Sequence, residues 1–344
     1  MRNLRLPADH ARTLCLDALE QAGYAQADAQ LTADALVDAS LRGIDSHGVA
    51  RLLAYHVRQA RERDIDTSAT PALDTCQGVC ASVDGRCAPG LSTARLALGT
   101  ATTCARVHGA GVVVARNVGY LGALGWCVRP GAADGLIAVA ACNSEACVAP
   151  YGGRQALHGT NPIAVAMPAE PHPVVVDMRT NALRMADYWA AVATGGELPS
   201  GTMLSRDGEP TTSPAAAEDG VYLPLAGAKG YALALVVDVL TAALAGGPIG
   251  REVGGGARSD FSLFMLVLDP AAFGAGFGDA VARLLAQAHA TTPLDERSPV
   301  LVPGERAQRE YEARLEHGIP MSLEERSALT AALTELGVAV EVPA

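Results

Sequence analysis

Aromatic side chains are scarce: Phe, Trp and Tyr make up 4% of the 344 residues. A core built with so few of them must close around small side chains, and Ala and Gly are abundant. Charged residues are 18% of the chain, a composition of packed layers and not of disorder. A basic stripe is also missing. The net charge is −11, from 26 basic against 37 acidic residues, which argues against sequence-independent nucleic-acid binding. An anionic substrate then needs a local arginine cluster working against the global field. No apolar stretch of signal-peptide type follows Arg2 and Arg5. The most hydrophobic helical segment, near 229–245, is interrupted by Lys229 and Asp238, too broken for a membrane span. The expectation is a cytoplasmic protein with no membrane and no nucleic-acid partner.

Zinc spacing is lacking too. The eight cysteines stand at 15, 76, 80, 87, 104, 127, 142 and 147. Cys76, Cys80 and Cys87 invite a metal, but no matching Cys or His pair follows at ligand spacing. A disulfide scaffold suits neither this size nor the missing export signal. The expectation is no metal, with the thiols filling small core positions. The Rossmann fingerprint G-x-G-x-x-G after a first strand is absent as well, and the three glycines at 254–256 read as a loop.

The length allows two domains or one large one with an insertion. Apolar spacing of three and four predicts helices over 9–22 and 32–41, then one carrying His47. Residues 64–87 are turn-rich with short strands, and 91–107 is a helix ending at Gly109. Runs at 111–116, 136–141, 163–167, 174–177 and 261–268 have strand length. A polar loop over 195–219 precedes the 229–245 helix. Further helices are expected at 282–290, 305–316 and 322–336, the last opened by a Ser322/Glu325 capping box. The pattern is α/β or α+β without clean βαβ periodicity. It divides into a mainly helical substrate-side part (1–115), a nucleotide-binding part (116–270) and a C-terminal helical segment (271–344) packing back on the first.

Two stretches carry the candidate chemistry. Arg42-Gly-Ile-Asp-Ser-His-Gly-Val-Ala-Arg51 places His47 and Arg51 at i and i+4 of an expected helix, capped by Asp45 or Ser46. Arg51 can grip a carboxylate in two-pronged fashion while His47 donates a proton to a neighbouring carbonyl or imine. A satisfied surface or interface histidine is the other reading. Gly48, costly in a first turn, calls for a close approach of backbone or ligand. Residues 143–162 join two strand-like runs through a loop rich in Gly, Pro, Asn, Ser and Thr, whose amides could meet an anion. An ordinary structural loop reads equally well.

Those stretches, with Asn143-Ser144, Gly152-Gly153, Gly159-Thr-Asn-Pro162, Asp177-Met178, Gly227-Ala-Lys-Gly-Tyr231 and Val302-Pro-Gly-Glu305, resemble the type-2 malate/L-lactate dehydrogenase family over essentially the whole chain. The resemblance implies a non-Rossmann α/β nucleotide-binding fold, NAD or NADP as cofactor, a small anionic substrate and a homodimer. Carried over by position, His47 matches the proton-transfer histidine and Arg51 the carboxylate-side arginine. Ser144, Gly159, Thr160, Asp177, Met178, Arg179 and Lys229 match cofactor-associated positions.

Departures bear on the chemistry. Tyr120 stands where relatives carry a second histidine. A phenol with a reference pKa of about 10, against about 6.5 for imidazole, stays protonated at neutral pH and favours reduction over oxidation. Tyr120 could also simply pack the pocket wall. Arg179, Arg184 and Asp187 change the local charge pattern. The leading expectation is an NAD(P)H-dependent reductase of a small 2-oxo acid. A reductase of cyclic 2-imino acids is the close alternative, because an iminium carbon needs less acid assistance. The third is a scaffold that has lost hydride transfer.

Overall fold

The structure is a computed structural model that describes residues 4–256 and 258–338, and the side chains of residues 4, 51, 52, 54, 324 and 332 lie outside the described set. A seven-stranded mixed sheet carries the larger core. Across it run Ala72–Gln77, Cys80–Asp84, Ala110–Val118, Phe261–Leu268, Ile137–Cys142, Ile163–Met167 and Val174–Met178. Neighbours are antiparallel except Cys80–Asp84 and Ala110–Val118. That parallel pair needs a crossover, which helix Gly90–His108 supplies. Phe261–Leu268 inserts between strands from much earlier in the chain. Its apolar run, broken only by Ser262, fits a central strand: Leu263, Met265 and Val267 are fully buried, and the alternating Phe264, Leu266 and Leu268 are half-buried.

The small-residue composition is explained here. Ala94, Ala97, Ala101 and Ala105 form the buried stripe of Gly90–His108, which lets backbone meet backbone. A Cβ added to Gly111 would stand 2.0 Å from the Ala101 carbonyl oxygen. Gly109 closes the helix at φ 84°, the left-handed conformation that favours glycine.

A second core belongs to helices Ala8–Gln21, Gln26–Leu41 and Val49–Arg61. The C-terminal part returns to it. Leu4–Leu6 pairs antiparallel with Ile319–Met321, and Leu329 and Leu333 of helix Leu323–Glu335 are buried in the same cluster. The expected capping box is present: Glu325 N donates to Ser322 Oγ at 3.1 Å and Ser322 N to Glu325 Oε2 at 3.0 Å. The two cores are tied by Asp38, which accepts from Arg42 at 3.0 Å and also from Arg129 of helix Leu124–Ala133. Tyr120 packs against both cores.

Several expectations change. Helices Leu124–Ala133 and Met185–Thr194 were not legible from spacing, the first because Pro130 sits inside it. The 195–219 region contains short strands Met203–Leu204 and Pro210–Thr211 and helix Pro214–Ala217. Cys15, Cys104, Cys127 and Cys142 are buried thiols as expected, whereas Cys76 and Cys80 are exposed. No helix among the described residues is long and apolar enough to cross a membrane.

Candidate active site

His47 does not lie on the helix that carries Arg51. It ends a separate 3₁₀ turn, Asp45–His47, and Gly48 then runs extended before helix Val49–Arg61 starts. The i, i+4 argument therefore fails, and neither Asp45 nor Ser46 caps that helix. The first free amide, Val49 N, donates instead to Ser40 Oγ at 2.9 Å. The same contact accounts for Gly48, since an added Cβ would stand 2.2 Å from Ser40 Oγ. Asp45 is held by Arg314 at 2.6 Å. Arg51 belongs to helix Val49–Arg61, but its side chain lies outside the described residues.

His47 is half-buried, with Ser46 Oγ 2.9 Å from its Nδ1. Burial lowers its pKa from the ordinary imidazole value, and the Arg179 guanidinium lowers it further. Arg179 is half-buried too and donates Nε to the Leu183 carbonyl at 3.1 Å. Helix Met185–Thr194 packs on the His47 turn. At its start Arg184 and Asp187 pair, with Nε to Oδ2 at 2.7 Å, so the charge of Asp187 is locally answered.

Two residues back along the strand, Asp177 accepts from Gly125 N at 2.7 Å. Asp177 is exposed at the strand end, and the partial loss of water around its carboxyl raises its pKa, against the opposing pull of the Gly125 amide and Arg129. Tyr120 lies on this side. Its ring meets Tyr55 edge-on at 4.9 Å and His56 at 5.9 Å. Burial raises the phenol above its ordinary range, and Tyr55, Cys142 and Asp177 add to the effect. His47 and Tyr120 are thus each acted on by the charge of a different member of the Asp177–Arg179 strand end.

The remaining positions converge on Thr180. Thr160 N donates to Ser144 Oγ at 3.1 Å. Thr180 N and Oγ1 donate to the Thr160 carbonyl at 2.9 and 3.0 Å, and Leu225 N donates to Thr180 O at 2.8 Å. Gly159 is packed so tightly on Ser144 that an added Cβ would lie 2.2 Å from its Oγ. Met178 pairs with Ile163 across the sheet edge. Gly227, at φ 63°, opens helix Ala228–Asp238, whose first turn carries exposed Lys229, the only lysine of the chain. An uncapped helix start with a lysine beside it suits a phosphate group.

Sequence reasoning missed the buried bracing behind this loop. His158 Nδ1 lies 2.5 Å from Asp238 Oδ2, and Asn161 Nδ2 donates to Asp238 Oδ1 and the Ala234 carbonyl, each at 3.0 Å. Asp238, which at first reading only interrupts an apolar helix, ties the 158–161 loop to it. Its helical spacing from Lys229 offers no hint of that. No group of three or more potential metal ligands gathers among the described residues.

Comparison with known proteins places the whole chain. The malate/L-lactate dehydrogenase family model matches residues 6–330. The chain is 34% identical to the Δ1-pyrroline-2-carboxylate/Δ1-piperideine-2-carboxylate reductase of Pseudomonas putida, covering 95% of this chain and 96% of that protein. It is 30% identical to the L-sulfolactate dehydrogenase of Methanocaldococcus jannaschii, covering 98% of each. Among solved structures, a dehydrogenase from Sinorhizobium meliloti superposes with a TM-score of 0.88 at 33% identity, over 96% of this chain and 98% of that one. With sequence and fold matched from end to end, the chain belongs to the malate/L-lactate dehydrogenase family of oxidoreductases.

Proposed function

We propose that the protein is an NAD(P)H-dependent reductase that converts a small 2-oxo acid to a 2-hydroxy acid. The observation that carries this reading is one strand end, Asp177–Arg179, whose charges act on both candidates: Arg179 on half-buried His47 and Asp177 on Tyr120. Bound there, the cofactor would supply the hydride. His47 protonates the oxygen at the 2-carbon, while Arg51 holds the carboxylate. Tyr120, which keeps its proton at neutral pH, donates a hydrogen bond and does not act as a base. Ser144, Gly159, Thr160, Asp177, Met178, Arg179 and Lys229 form the cofactor side, with Lys229 and the helix start taking phosphate. The protein's contribution is alignment and electrostatics. In this reading 1–115 forms the substrate side, 116–270 the nucleotide side, and 271–344 buttresses the first.

One observation favours a second reading, reduction of a cyclic 2-imino acid. Burial keeps the Tyr120 phenol protonated, and an iminium carbon, already activated, needs less acid assistance than a ketone. A panel of 2-oxo and cyclic 2-imino acids with NADH and NADPH separates the two. Activity on ketones alone supports the main reading and activity on imines alone the second. Failure to bind either cofactor means that hydride transfer has been lost.

We also infer a homodimer. Leu235, Val236, Val239 and Leu244 leave an apolar face 46–58% exposed along the helix beginning at Ala228 and the turn after it. Light scattering should report twice the chain mass at micromolar concentration, and a monomer would remove the assignment.

A further inference from the structure

The three cysteines nearest one another at the sheet edge have no part in the chemistry above. The edge hairpin turns through two residues, Gly78 and Val79, and pairs Cys76 with Ala81 and Gln77 with Cys80. Residues directly opposite in an antiparallel pair share a face, and successive residues alternate. Cys76 therefore shares the face of Ala81, and Cys80 takes the other one with Gln77. Ala81 is buried in the sheet core together with Ala101 and Ala105 of helix Gly90–His108. Cys104 lies on that same buried helix face. The register thus directs Cys76 toward the helix face that carries Cys104, near enough for Cys76 to act on the Cys104 thiol. One of the pair is exposed and the other buried.

We propose that Cys76 and Cys104 form a reversible disulfide when the protein meets a peroxide. The exposed Cys76 thiolate attacks one oxygen of hydrogen peroxide. The O–O bond breaks, hydroxide leaves and takes a proton to become water, and Cys76 becomes a sulfenic acid. The Cys104 sulfur then attacks the Cys76 sulfur. The S–S bond forms, the S–O bond breaks, and the Cys104 proton leaves with the oxygen as a second water. The thiol pair loses two electrons and the peroxide gains them. Burial and the neighbouring Cys76 raise the Cys104 pKa, which makes Cys104 the resolving partner and not the first nucleophile.

The bond would staple the edge strand Ala72–Gln77, whose residues are mostly exposed, to the helix across the sheet. Closing the intervening loop restricts the unfolded chain, so the oxidised protein should melt at a higher temperature.

The test is peptide mapping of the full-length protein under non-reducing conditions after hydrogen peroxide. Cleavage after arginine releases one peptide, 64–86, containing Cys76 and Cys80, and another, 96–106, containing Cys104. The expected product joins these two peptides, is lighter than their sum by two hydrogens, and separates again with dithiothreitol. It should persist in Cys80→Ser and vanish in Cys76→Ser and Cys104→Ala, and the rise in melting temperature should vanish with it. A link between Cys76 and Cys80 within one peptide would overturn the proposal. So would links only between molecules, or sulfinic acid at Cys76 with no link.

Discussion

The two sides of the candidate site are built differently. On the side proposed for the cofactor, Ser144, Thr160, Thr180, Asn161 and Asp238 hold one another through buried or half-buried hydrogen bonds, and Gly159 leaves no room for even a methyl group. On the side proposed for the substrate, His47 sits on a three-residue turn braced by the Asp45–Arg314 pair and by packing against helix Met185–Thr194. A buried hydrogen-bonded network resists change, and here only Asn161 Oδ1 and the His158 Nε2 behind it are left without a partner among the described residues of the network. A short turn tied by one ion pair with a half-exposed carboxylate yields more easily, because such pairs contribute little.

Substitutions can break that contrast. The largest effect should come from His47→Ala, which is expected to cut kcat for reduction by a factor of about 10²–10⁴ with cofactor affinity and melting temperature nearly unchanged. The pH profile sharpens the point. With its pKa lowered below the ordinary imidazole value, His47 holds its proton only on the acid side of about 6.5. In the free enzyme, kcat/KM for reduction should therefore rise as pH falls below that value, and His47→Ala should lose this limb. A mutant that melts early would mean that the turn is structural.

Gly159→Ala tests the rigid side. A methyl group 2.2 Å from Ser144 Oγ and 2.4 Å from its carbonyl oxygen must displace backbone, at about 1–3 kcal/mol of stability. Chemical denaturation should show that loss, together with weaker NADH or NADPH binding. Unchanged stability and binding would mean that the loop is as adaptable as the His47 turn.

Tyr120→Phe should have the smallest effect. Removing one neutral hydrogen bond is typically worth about 1 kcal/mol, and the ring still packs on Tyr55 and His56. Turnover should fall several-fold with little change in melting temperature. A loss matching that of His47→Ala would make the phenol the catalytic acid.

Local sequence was a good guide wherever one residue type has one local solution. The Ser322/Glu325 capping box, the Gly109 helix end and the apolar strand runs follow from hydrogen bonding and backbone sterics within a few residues. Family membership was legible because motifs in fixed order span the chain. Local rules failed at His47, where spacing suggested a continuous helix and the structure has a 3₁₀ turn with extended Gly48. Ser40, on the preceding helix, takes the amide that Asp45 or Ser46 was expected to cap. The meeting of His47 with Arg179, of Asp177 with Gly125 and Arg129, and of His158 and Asn161 with Asp238 was not legible. Each joins residues tens of positions apart or more, brought together when the sheet and the helical core dock. Sequence alone determined which elements form and which chemistry is available. Tertiary structure decided which groups are desolvated and which charges they face, because burial and Coulomb interactions depend on distance in space and not along the chain.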